Sequence, residues 1–88
     1  MRSFSSKEEF LQWREKNRGG FVLNQLAQTR FRLHIARCNT LRDIGPEALA
    51  NPKHCSTDLS VLQDFATNKT VVKCETCREH LTSWGPRG

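Results

Sequence analysis

The chain has 88 residues, a formal charge of +5 and 36% hydrophobic residues. That length supports one domain, and a domain so small buries only roughly 60–65% of the surface it exposes when unfolded. No apolar run approaches the ~20 residues needed to cross a membrane, and Met1 to Glu9 has no apolar export core, so the sequence predicts a soluble cytoplasmic protein.

Ser6-Lys7-Glu8-Glu9 fits a capping box, with Ser6 as N-cap and Glu9 reaching back. Phe10 and Trp13 then recur at helical spacing, and Gly19-Gly20 stops the run, which predicts a helix over roughly 7–17. Phe21 to Asn24 reads as a buried strand. From Thr29 to Ile35 the pattern alternates: Phe31, Leu33 and Ile35 on one side, Arg30, Arg32 and His34 on the other. The two strands pair as a hairpin across Gln25 to Gln28.

Residues 37–52 read as irregular, with turn signals at Gly45-Pro46 and Asn51-Pro52 and a helical turn over Pro46 to Ala50. Lys53 to Cys55 is a short strand. Ser56-Thr57-Asp58 starts a second helix over about 58–67, with Leu59, Leu62, Phe65 and Ala66 on its apolar stripe. Val71 to Lys73 is a strand leading into Cys74-Glu75-Thr76-Cys77, and a last helical turn runs toward Ser83. Residues 1–84 form the single domain and 85–88 a tail. The fold class is α+β: an N-terminal helix, a short antiparallel sheet, and a second helix before a Cys-x2-Cys knuckle.

Charge is concentrated in one stretch. Arg14 to Arg42 holds seven of the 14 basic residues but only one acid, Glu15. Such a local positive field favours a polyanion, DNA first and RNA second.

The chemistry lies in four residues. Cys74 and Cys77 are spaced to aim two thiolates at one cation, and His34 and Cys38, four apart, supply two more ligands. An N/S3 set suits structural zinc, and a short chain gains most from such a cross-link. Disulfides in a secreted domain are the rival reading, disfavoured by the missing export signal. Cys55 could replace His34 as a ligand, though a buried core thiol is its simpler role. His54 and His80 are further ligand candidates, Cys77-x2-His80 having plausible spacing, but both read more simply as ordinary surface histidines. Only eleven residues follow Cys77, too few for the long helix of a redox Cys-x2-Cys, and no hydrolase or phosphate-loop motif is present, so no enzyme is predicted.

Arg32 to Cys38 followed by Cys74 to Cys77 resembles the small zinc domain of Ada-type proteins, whose members show His-x3-Cys or Cys-x3-Cys followed by Cys-x2-Cys. The likeness spans roughly residues 30–80. Gly20 to Asn24 also resembles a strand of bacterial zinc domains found beside HNH-type nucleases. The resemblance implies a zinc scaffold, in some members a DNA-binding one, occurring alone or fused to an effector. His34 stands where Ada carries its methyl-accepting Cys, so methyl transfer is not carried over.

The leading expectation is a zinc-stabilised module that holds the DNA backbone through Arg30, Arg32, Arg37 and Arg42, with Lys16 and Arg18 flanking. The alternative is a zinc-stabilised adaptor that meets an acidic protein partner, with Trp84 as an anchor.

Overall fold

The computed structural model describes residues 1–41 and 48–84. Strand β1 (Arg2–Ser6) runs into helix α1 (Lys7–Lys16). The hairpin β2 (Phe21–Ala27) and β3 (Arg30–Ile35) follows, then β4 (Ala48–Ser56), helix α2 (Leu59–Phe65) and β5 (Thr70–Lys73). Single 3-10 turns lie at Asn39–Leu41 and Arg78–His80. The strands form one sheet in the order β1-β4-β2-β3-β5. Its first three pairings are antiparallel, and β5 joins β3 in parallel.

The register sorts side chains onto two faces, because residues opposite one another share a face. One cross-sheet row is Arg2, Cys55, Val22 and His34; the next is Phe4, Lys53, Asn24 and Arg32. Helix α1 packs on this face. Phe4 meets Phe10 and Trp13, with ring centroids 6.3 and 6.4 Å apart. The other face carries Leu23, Phe31, Leu33 and His54 and is covered by α2. There Phe65 packs edge-on to Phe31 at 5.7 Å and against His54 at 4.7 Å. Phe10, Phe31, Leu23, Leu33, Leu62 and Leu81 are the largest fully buried side chains.

Both helices lie where the apolar spacing puts them, but their starts differ. Asp58 caps α2, its carboxylate accepting from the Ser60 N–H at 3.0 Å. Ser6 occupies the N-cap of α1 but makes no side-chain cap bond, so the predicted capping box is not formed. It is also the last residue of β1, extended and paired with Ala48.

Three further differences have physical causes. Strand β1 was not anticipated, because an edge strand needs only one inward apolar residue, here Phe4. The predicted turn at Asn51-Pro52 and the helical turn reaching Ala50 give way to one long β4; Gly45 to Glu47 lie outside the described residues. Pro52 is tolerated because β4 pairs with β2 only from Lys53 onward, and the β1–β4 ladder slips across this segment. The antiparallel sheet gains a parallel edge because the chain crosses over through α2 between β4 and β5. The predicted tail, residues 85–88, lies outside the described residues.

Gly20 sits where the chain passes beneath Trp13. A Cβ there would lie 2.8 Å from the indole ring and 3.1 Å from the carbonyl oxygens of Asn17 and Ser56. Since the ring is buried and two of the three neighbours are backbone, Gly20→Ala is expected to destabilise the domain by about 1–3 kcal/mol. A urea midpoint equal to wild type would show that the contact relaxes without cost.

Candidate metal centre

Two segments far apart in sequence meet at the ends of β3 and β5. Leu33 lies opposite Lys73 in the parallel pair, so the next step along each strand sets His34 beside Cys74. The Cys74 N–H extends the ladder by donating to the Leu33 carbonyl at 2.9 Å. Cys38 lies in the turn after β3, where its N–H donates to Ile35 O at 3.1 Å and its carbonyl accepts from the Leu41 N–H at 3.1 Å. Cys77 precedes the second 3-10 turn, its carbonyl accepting from the His80 N–H at 3.0 Å.

All four residues are buried, and one candidate ligand atom from each lies within 4.8 Å of the others. The Sγ atoms of Cys38 and Cys74 are 3.8 Å apart, far beyond the ~2.04 Å of a disulfide bond, and all four cysteines are free thiols. The Thr40 hydroxyl sits over the group, 3.0 Å from Cys38 Sγ, 3.8 Å from Cys74 Sγ and 3.3 Å from His34 Nδ1. Arg14 reaches across from α1: its Nε donates to Ala36 O at 2.5 Å and its Nη2 to Cys38 O at 3.0 Å. The Cys38 turn is thereby held from outside the cluster as well as within it.

Burial sets the protonation of the ligand groups. Burial, aided by the nearby charges of Arg32 and Lys53, pushes the His34 imidazole down to about 4, so it is neutral at physiological pH and keeps a lone pair. Burial pushes the Cys77 thiol up, and the neighbouring sulfurs oppose its ionisation further. Burial also acts against the Cys74 thiolate, but hydrogen bonds from the Cys77 backbone, the Thr40 hydroxyl, the Thr76 backbone and Cys38 outweigh it and lower its pKa. His34 Nε2 is buried with no hydrogen-bond partner among the described residues. Such an orphan costs about 1–3 kcal/mol. A metal ion removes that cost and reverses the penalty on the thiolates. The residues present therefore fit a metal ion held by one imidazole and three sulfurs.

The other candidate ligands are placed elsewhere. Cys55 is fully buried on β4, with β2 between it and the His34 strand. Burial pushes its thiol up to about 12. His54 is not at the surface as expected: it is buried on the α2 face, bonded to Ser3 Oγ at 2.7 Å and Gln25 Oε1 at 2.8 Å. His80 is exposed beside Glu79 at 3.5 Å. Trp84 is partly buried against the core.

The basic residues fall into separate grooves. Arg30, Arg32 and Lys73 line a groove of about 510 Å³ that also reaches His34, Cys74 and Thr40. Arg18 and Arg37 line another, of about 440 Å³, with Arg14 and Asn39. Lys16 lies in a third with Arg2 and Glu9. Arg42 is outside the described residues. Sequence reasoning did not assign roles to Thr40 or Arg14. Thr40 had a faint signal, a hydroxyl two residues after Cys38; Arg14 had none beyond its charge.

Comparison with protein-family models, curated proteins and solved structures finds no match for this chain. No helix among the described residues is long and apolar enough to cross a membrane.

Because His34 stays neutral down to about pH 4, protons released on metal loading near pH 7 come from thiols alone. His34→Cys is therefore expected to raise the release by about one proton, read by calorimetry in buffers of different ionisation enthalpy. An unchanged proton count would show that His34 is charged before loading.

Proposed function

We propose that this chain is a zinc-stabilised module that binds the nucleic-acid backbone, DNA in preference to RNA. The observation that carries this reading is the shared location of the two features. Two residues of the buried His34/Cys38/Cys74/Cys77 cluster, His34 and Cys74, line the groove whose cations are Arg30, Arg32 and Lys73. Four protein donors would complete a tetrahedral shell and would leave no position for a substrate or a reactive water, as in structural zinc sites. Zinc would be held by those four residues and would supply a cross-link between the β3 and β5 ends. The reading is non-enzymatic, and the reducing cytoplasm is the compartment that suits it. It keeps the Ada-like likeness as a scaffold only.

The groove favours backbone over base contacts. Its lining has three basic residues against one acid, Glu75, and no Phe, Tyr or Trp; its one aromatic ring is the buried His34 imidazole. Phosphate contacts give salt-dependent affinity with little sequence information, whereas single-strand binding draws on aromatic stacking. An acidic protein partner is the competing outcome.

Reduced protein is expected to carry one zinc per chain, and Cys74→Ser or Cys77→Ser to lose it. Structural zinc is worth on the order of 10–16 kcal/mol in finger peptides, so a chelator should unfold much of the domain. A fully folded, metal-free sample with wild-type stability would refute the zinc assignment. For the second half, Arg30→Ala with Arg32→Ala should weaken duplex binding and lower the salt slope by about 2. Unchanged affinity would favour the acidic-partner reading.

A further inference from the structure

Resting on the nucleic-acid reading above, we infer that the duplex backbone is gripped from both sides of the Cys38 turn, by Arg30 and Arg32 in one groove and by Arg18 and Arg37 in the next.

The two grooves meet at one segment of the chain, Asn39-Thr40. Thr40 lines the first and Asn39 the second, and neighbouring Cα atoms are only ~3.8 Å apart. Both lie on the α1 side of the sheet. Arg30 and Arg32 alternate onto that face with His34, and α1 itself contributes Arg14 to the second groove. The Cys38 turn leading into that segment is fixed at several points. Cys38 carries a sulfur of the cluster, the Ala36 N–H donates to Gly20 O at 2.8 Å, and Arg14 holds the carbonyls of Ala36 and Cys38. Arg14 is thus committed to the turn, while the exposed Arg18 and Arg37 supply the second groove's cations against a single acid, Glu15.

The charge pattern selects the occupant. Each groove is lined by more bases than acids and by no Phe, Tyr or Trp, and the one imidazole, His34, is buried, so a polyanion laid across the ridge meets cations on both sides and no exposed stacking platform. The third groove, with Arg2 and Lys16, contains no residue of that segment and is not part of this path. A duplex phosphate backbone, which presents closely spaced charges over a long track, fits this surface. The metal-tied turn then acts as the ridge that sets the spacing of the two arginine pairs.

The experiment titrates zinc-loaded protein with a random-sequence duplex of about 20 base pairs between roughly 50 and 200 mM salt. Wild type is compared with Arg30→Ala/Arg32→Ala, Arg18→Ala/Arg37→Ala and the quadruple variant, each checked for metal content and circular dichroism. Each pair should lower the salt slope by about 2 and the quadruple variant by about 4, at 0.9 per phosphate contact. Arg18→Lys with Arg37→Lys keeps the charges and should keep the wild-type slope, even if the alanine pair folds poorly. If Arg18→Ala/Arg37→Ala keeps the wild-type slope while the other pair loses it, the second groove is excluded and the single-groove reading stands. If wild type binds no duplex at all, the nucleic-acid reading itself falls.

Discussion

The parallel pairing of β3 with β5 is the constraint on which the rest of the molecule depends. Strand β5 has four residues and touches the sheet along one edge only. Its register, Leu33 opposite Lys73, delivers Cys74 to the side of His34. A slip of one residue would turn Cys74 to the opposite face, because side chains alternate with period two. Parallel edge pairs are also the less stable kind per residue. A four-residue edge strand is a weak device for so exact a task, and a cation bound by residues from both segments would lock the register that it requires.

Chemistry is partitioned between the two faces of the sheet. The α2 face is a conventional core, where Phe31, Leu33 and Leu23 pack with Leu62 and where His54 is satisfied by Ser3 and Gln25. The α1 face carries what a core normally excludes. Lys53 is buried there, with its ammonium on Asn24 Oδ1 and 3.3 Å from Asn51 O, and burial lowers its pKa. Cys55 on the same face shows how position decides the fate of a thiol. It is as buried as the cluster cysteines, but the donor atoms that would share a cation with it belong to another strand.

The metal candidates were legible because ligand spacing is local. His34 and Cys38 are four residues apart, Cys74 and Cys77 three, and each spacing states which atoms can share an ion before any fold is known. Helices α1 and α2 and the β2–β3 hairpin were legible for the same reason, their periodicity being written in consecutive residues. What stayed hidden depends on distant partners. Strand β1 has one apolar residue, and only its pairing with β4 makes it a strand. Pro52 signals a turn until the slip in the β1–β4 ladder is known. The stretch from Arg14 to Arg42 looks like one patch in sequence, yet the structure divides it, because Arg30 and Arg32 alternate on a strand while Arg37 lies in the turn that follows and lines a different groove. Arg14 looks like another surface cation and proves to hold two carbonyls of the turn.

Its charge gives a reason for the metal cluster and the basic residues to be neighbours. Arg32 and Lys53 are close enough to His34 to help keep its imidazole unprotonated. With a divalent cation bound, three thiolates and a neutral imidazole leave a net charge of −1, which nearby cations stabilise in a site of low dielectric. Lys53 can meet that need from within the sheet, where it is buried. Arg32 is exposed and lines the groove, and could meet it from that side. On the proposed function, an arginine placed to balance the cluster would also be placed to meet a phosphate, so the two roles would call for the same residue at the same point.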